Sequence, residues 1–223
     1  MLRSAFAILV SVTMFGAAQS PDGGVVSGTV TLTRANRAPL PSAAYPGRTV
    51  GDHQAPAAPD LKNVVVYMKD AAFRGSLTTK TAELKQDHEM FAPHVLAITR
   101  GSTVSFPNAD PFFHNVFSLS SAATFDLGRY TTGKTVTQAF PKTGIVKVFC
   151  KIHSHMSATI LVFDHPYFTI PETDGAYELT GIPAGDYTLV GWHERVGERT
   201  VPVKVERGKT TIVNLSLPLE DSK

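Results

Sequence analysis

The chain reads as all-β and sandwich-like, and three observations predict this. Apolar residues alternate with polar ones at period two: Val201, Val203 and Val205 against Pro202, Lys204 and Glu206, then Val213, Leu215 and Leu217. Turn-forming residues recur between such runs, at Arg100-Gly101, Gly133-Lys134, Pro183 to Asp186 and Arg207-Gly208. No segment carries a convincing helical period. Many short strands at this spacing argue for antiparallel sandwiches.

Taken in order, residues 1–20 stand apart as an export signal. Arg3 gives a positive start, Ala5 to Ala18 is almost entirely apolar or small, and Gly16 to Ala18 suit a peptidase. That apolar run is too short to span a bilayer, and no cysteine follows it to carry a lipid anchor. Gly24 to Leu32 reads as a strand broken by small residues, and Arg34 to Asp60, rich in Pro, Ala and Gly, as a long irregular loop. The apolar run Asn63 to Met68 is a buried strand.

The pattern resets after Lys69. Thr81 to His88 is a weak, polar strand candidate, Phe91 to Ile98 leads into the Arg100-Gly101 turn, and Ser102 to Phe106 follows. Pro107 and Pro111 stiffen the next loop. Thr135 to Phe140 lies between turns, and Val146, Val148 and Cys150 share one inward face because strand side chains alternate. Ala158 to Phe163 closes this unit. A third pattern starts near Tyr167, with Asp174-Gly175 leading into Tyr177 and Leu179, and residues 220–223 read as a frayed tail.

Removing the leader takes Arg3 with it and lowers the formal charge of +2 by one. That balance gives no case for nucleic acid, and no basic run suggests an anionic membrane. With no second span of transmembrane length, the mature chain is expected to be a periplasmic or secreted protein without a membrane span. About 200 residues remain, room for one large or two modest domains.

Cys150 is the one cysteine, so an internal disulfide is impossible; in an exported chain it is an intermolecular partner, a reactive thiol or a metal ligand. His153 and Met156 follow it closely, and His114 ends a polar loop upstream. Two imidazoles, a thiolate and a weak thioether are the ligand set of a mononuclear copper centre. Asn115, next to His114, is placed to hydrogen-bond around it and fix the two ligand segments. Phe112, Phe113, Pro111 and Met156 would form an apolar rim, with His153 showing an edge to solvent.

Residues 80–165 resemble a cupredoxin domain of the plastocyanin/amicyanin type. The residues that carry this are Phe91 and Pro93, Gly101, Val104 to Asn108, His114-Asn115, and Cys150, His153 and Met156 at the short amicyanin spacing. The resemblance implies a Greek-key β-sandwich holding one copper ion (Cu+/Cu2+) on His114, Cys150, His153 and Met156. Residues 24–79 and 166–218 resemble a second family, the carboxypeptidase regulatory-like (transthyretin-like) sandwich, through Val25 to Val30, Val64 to Tyr67, Thr173 to Leu179 and Gly181 to Leu189. About a hundred residues separate its two parts, which implies that the copper unit is inserted into it.

The expected function is one-electron transfer between redox proteins, such as a cytochrome or an oxidoreductase, without turnover of a substrate. Copper binding and delivery is one alternative, and a structural β-sandwich module without a redox role is another. Paired catalytic carboxylates and a strand–turn–helix nucleophile elbow are both missing; a cysteine nucleophile would need an accessible thiolate and a pocket. His155 and His88 are the alternative ligands. His94 is read as a core or edge histidine, His53 and His165 as surface residues, and Trp192 to Glu194 as the anchor of the second sandwich's core and rim.

Overall fold

In the computed structural model the described residues are 23–34 and 61–219. Residues 1–20, read from the sequence as an export signal, the Pro/Ala-rich segment with His53, and residues 220–223 lie outside them. Strands β1 (Gly24–Arg34) and β2 (Val64–Lys69) come first. A middle group follows: β3 (Thr81–Glu83), β4 (Lys85–Asp87), β5 (Met90–Ala92), β6 (Val95–Thr99), β7 (Thr103–Pro107), β8 (His114–Ser120), β9 (Ala123–Tyr130), β10 (Thr135–Ala139), β11 (Gly144–Phe149) and β12 (Ser157–Phe163). The last group is β13 (Phe168–Thr169), β14 (Ala176–Ile182), β15 (Gly185–His193), β16 (Gly197–Val205), β17 (Thr210–Ile212) and β18 (Leu215–Leu219). Among the described residues helix is limited to a 3-10 turn at Leu61–Asn63, and no helix is long and apolar enough to cross a membrane.

The ladders sort the strands into two sandwiches. In the middle group the sheet β6-β12-β11-β8-β9 packs on β10-β7-β3, and β4 pairs β5. Between them lies a core of Phe106, Phe140, Val104, Val146, Val148 and Ile160. In the outer group β1 pairs β14 antiparallel and runs parallel to β17 and β18, and a second sheet has the order β13-β2-β15-β16. Val26, Val30, Val66, Met68, Leu189 and Leu217 belong to the core between these two sheets. Gly28 has to be glycine: a Cβ there would sit 1.8 Å from the Val213 carbonyl oxygen, where β1 meets the chain between β17 and β18.

A third apolar cluster joins the sandwiches. Val65, Tyr67, Val190 and Trp192 on the outer face of β2 and β15 pack against Val95 and Leu161 on the outer face of β6 and β12. This explains the unbroken apolar run of β2. Val64, Val66 and Met68 face one core, Val65 and Tyr67 face the other, and none of the five reaches solvent appreciably. A strand buried on both faces reads as continuous hydrophobicity rather than alternation.

Two sequence expectations are corrected here. Trp192 anchors the seam between the sandwiches, not the second sandwich's own core. His165 is buried rather than on the surface: its ring stacks on Tyr167 with centroids 5.7 Å apart, and its Nδ1 accepts the Tyr167 N–H at 3.2 Å. Burial pushes this imidazole below its ordinary range.

The β8–β9 hairpin was not anticipated from the sequence, for a physical reason. Its inward row passes from Val116 to the fully buried Ser118, while Phe117 and the largely exposed Leu119 lie on the other face. The hydrophobic alternation is inverted, so periodicity points the wrong way.

The seam predicts that Trp192→Ala destabilises the full chain by about 3–5 kcal/mol, measured by urea denaturation followed by far-UV circular dichroism. An unchanged midpoint would contradict the role given to Trp192.

Candidate metal centre

Strand ends bring the candidate ligands together. Cys150 comes directly after β11, in line with the inward-facing Val146 and Val148, and Met156 comes directly before β12. Because Phe149 pairs with Ser157, the segment 150–156 is the connection of an antiparallel hairpin. Two backbone bonds fold it back: Cys150 N–H to the Met156 carbonyl at 3.3 Å, and Met156 N–H to the His153 carbonyl at 3.0 Å. His114 opens β8, which pairs with β11 through Phe117 and Phe149.

His114 Nδ1, His153 Nδ1 and Cys150 Sγ converge. The two nitrogens lie 3.1 Å apart, and each is 3.9 Å from the sulfur. His114 is fully buried, Cys150 nearly so, and His153 half-buried. A first-row divalent ion with bonds of about 2.0 Å to nitrogen and about 2.3 Å to sulfur, at trigonal angles, separates nitrogen from sulfur by about 3.8 Å. The same bonds give the observed nitrogen–nitrogen distance at an angle near 100°. The three atoms therefore fit a single ion between them. Among the described residues this is the one such group of histidine, cysteine and carboxylate side chains.

Asp110 sets the chemistry of the buried imidazole. Its Oδ2 lies 2.7 Å from His114 Nε2. An ionised carboxylate only accepts, so Nε2 carries the proton and the lone pair of the neutral ring is left on Nδ1, facing Cys150. The same carboxylate accepts the backbone N–H groups of His88 at 2.7 Å and Glu89 at 3.0 Å. Burial would raise Asp110, but these bonds from Glu89, His114 and His88 outweigh it and hold the group below the usual carboxylate range. Asp110 escaped the sequence reading; an acid four positions before the candidate histidine, in a loop between prolines, was the available signal.

The bonds from His88 and Glu89 explain an unusual turn. Both residues have φ of 54° in the two-residue connection of β4 and β5, a left-handed conformation that Asn-Gly adopts far more readily. The turn directs two adjacent N–H groups at one carboxylate, and Glu89 Oε2 lies 3.2 Å from His155 Nε2. One hairpin tip thus braces both the His114 side and the 150–156 segment.

Asn115 ties the two candidate ligand segments together. Its Nδ2 donates to Asp126 Oδ1 at 2.7 Å and to the Gly128 carbonyl at 3.0 Å, and its Oδ1 accepts the Lys151 N–H at 3.4 Å. Lys151 pairs with Asp126 and lies over the Phe117 ring. Bonds from Lys151, Asn115 and the Gly128 N–H hold Asp126 at about 2.

Met156 is buried in the same core cluster as Cys150. The two alternative ligands are not in the converging group: His155 is 60% exposed on Glu89, and His88 is 85% exposed on Asp87. Phe112 lies against both candidate imidazoles, with centroids 5.3 Å and 5.5 Å away, and Phe113 and Ile152 are exposed. The Tyr130 hydroxyl, on the residue opposite His114, receives the Gln86 amide and donates to the Phe106 carbonyl at 3.0 Å. Burial holds this phenol above its ordinary range. The sequence reading overlooked both Gln86 and Tyr130, since a buried glutamine on a short polar strand carries no periodic signal.

No family model matches the chain, and no curated protein matches it. Among solved structures it is similar to a novel purple cupredoxin from Nitrosopumilus maritimus, at 23% identity over 37% of this chain and 99% of that one, with a TM-score of 0.34. It is also similar to a copper-containing nitrite reductase from Thermus scotoductus SA-01, at 24% identity over 43% of this chain and 25% of that one, TM-score 0.37. A reduced amicyanin variant matches at 17% identity over 37% of this chain and 82% of that one, TM-score 0.35.

Two outcomes test this geometry. Asp110→Asn removes the fixed acceptor on His114 and is expected to weaken metal binding about 10–100-fold, read by competition against a chromophoric chelator; unaltered affinity would contradict the role of Asp110. Asp126, ordinarily near 3.8 and held at about 2 in the fold, contributes stability that is complete above the unfolded value and lost as pH falls through the folded one. The acid limb of the stability curve should therefore be shallower in Asp126→Asn, and equal slopes would rule the contribution out.

Proposed function

We propose that this chain is an exported copper protein that carries single electrons between redox proteins and turns over no substrate. The observation that carries the reading is the convergence of two imidazole nitrogens and one thiol sulfur, with the proton of the buried imidazole held on its far side by Asp110. His114, Cys150, His153 and Met156 would hold one copper ion, with Asn115 fixing the two ligand segments. Copper bound there supplies one-electron chemistry, cycling between Cu+ and Cu2+.

The chain's own residues account for the rest. His114 and His153 present lone pairs from two separate segments, and Cys150 presents its sulfur from a strand end set by the inward row of β11. Packing around Val146, Val148 and Ile160 keeps those positions rigid, so the ligands need not rearrange between oxidation states. Phe112 and the surrounding core keep water from the buried imidazole, while half-buried His153 and the exposed Phe113 and Ile152 offer an edge to a donor or acceptor. Residues 80–165 would be the cupredoxin unit, inserted into a carboxypeptidase regulatory-like sandwich formed by 24–79 and 166–218. Self-contained strand pairing within 81–163 supports that division. The leader supports a periplasmic or secreted location.

A copper(II) titration read by visible absorption and electron paramagnetic resonance tests the function. The expected result is one equivalent, an intense thiolate charge-transfer band and narrow copper hyperfine splitting, the last two lost in Cys150→Ser. A weakly coloured tetragonal spectrum would replace the carrier by a copper-delivery protein, and no binding would leave a structural module.

A further inference from the structure

Glu194 follows β15 in the outer sandwich, yet its carboxylate is occupied by the middle one. It pairs with Lys147 Nζ on β11, accepts the Thr159 hydroxyl on β12 at 3.2 Å, and lies 2.6 Å from His94 Nε2. Lys147 also donates to Thr159 Oγ1 at 3.0 Å. On the other side of the same imidazole, His94 Nδ1 lies 3.0 Å from the Ser157 carbonyl oxygen, and the His94 carbonyl accepts the Thr159 N–H at 2.9 Å.

The place where this relay ends is what gives it meaning. Ser157 directly follows Met156, and Lys147 sits on the strand that delivers Cys150. The imidazole of His94 thus lies between two acceptors, the Ser157 carbonyl and the Glu194 carboxylate, and links the one to the other. Burial would raise Glu194, but Lys147 and His94 outweigh it and hold it at about 2. The apolar seam at Val65, Trp192, Val95 and Leu161 fixes the two sheets that carry the pair.

We propose that Glu194 and His94 are positioning residues for the metal centre: the outer sandwich holds the Met156 end of the ligand segment in place through the relay from Glu194 to His94 to the Ser157 carbonyl. This rests on the reading of Met156 as a copper ligand. It gives the second sandwich a part in the site rather than a tethering role alone.

The test uses the full chain carrying Glu194→Gln or His94→Leu, with Glu206→Gln as control, because Glu206 pairs with Lys209 elsewhere in the outer sandwich and touches no seam residue named above. In the metal-free protein, amide hydrogen exchange at Met156, Ser157 and Thr159 should quicken about tenfold in both relay variants, the size of one lost charge-assisted hydrogen bond, and stay unchanged in the control. In the copper-loaded protein the thiolate band should persist while the reduction potential shifts, since the thioether ligand tunes it. Exchange quickened equally across the whole chain, or local exchange and potential both unchanged, would overturn the proposal. Loss of the thiolate band in the unsubstituted chain would overturn the copper reading alone, because the metal-free exchange measurement judges the relay independently.

Discussion

The candidate metal centre depends first on the carboxylate of Asp110. It is almost fully buried, and its two oxygens meet three donors from two parts of the middle sandwich. The β4–β5 turn supplies two amides and His114 supplies its Nε2–H. The backbone of Asp110 is held as well: its N–H donates to Asn108 Oδ1 at 3.0 Å, and its carbonyl accepts the Thr132 hydroxyl at 2.6 Å. A buried ionised group without such partners would cost several kcal/mol. With them it fixes the tautomer of one imidazole and the position of three segments around it. The left-handed pair His88-Glu89 follows from this arrangement, since that backbone conformation is what lets both amides reach one carboxylate.

From Asp110 the support spreads in two directions. Asn115 carries it to Asp126 and to the amide of Lys151, locking the β8–β9 hairpin to the residue after Cys150. On the opposite side of the ligand segment, Ser157 and Thr159 meet His94, and through it Glu194 of the other sandwich. The segment 150–156 is therefore held at both ends by hydrogen bonds and from below by close packing, the combination that preserves a metal-site geometry.

Much of this was legible in the sequence because it rests on periodicity and residue chemistry. Alternation along Val146, Val148 and Cys150 placed the thiol on the inward face, and the uninterrupted apolar run at β2 marked a buried strand. The chemistry of one cysteine with nearby histidines singled out the three residues that converge. What stayed hidden depends on contacts that spacing does not encode. Ser118 points inward while Leu119 points out, which disguised a whole hairpin. His165 looked like a surface residue because the pattern after β12 does not announce that Tyr167 stacks on its ring and Phe163 packs against it. Trp192 and Glu194 were read as parts of one sandwich, although their partners lie about a hundred residues away or less in sequence, across a seam that only the folded chain creates.

The most direct measurement is X-ray absorption at the copper edge of the loaded full-length protein. Two nitrogens and one short sulfur in the first shell, with the sulfur absent in Cys150→Ser, is the result that this account predicts. A shell of nitrogen and oxygen alone, the same in both proteins, would contradict it.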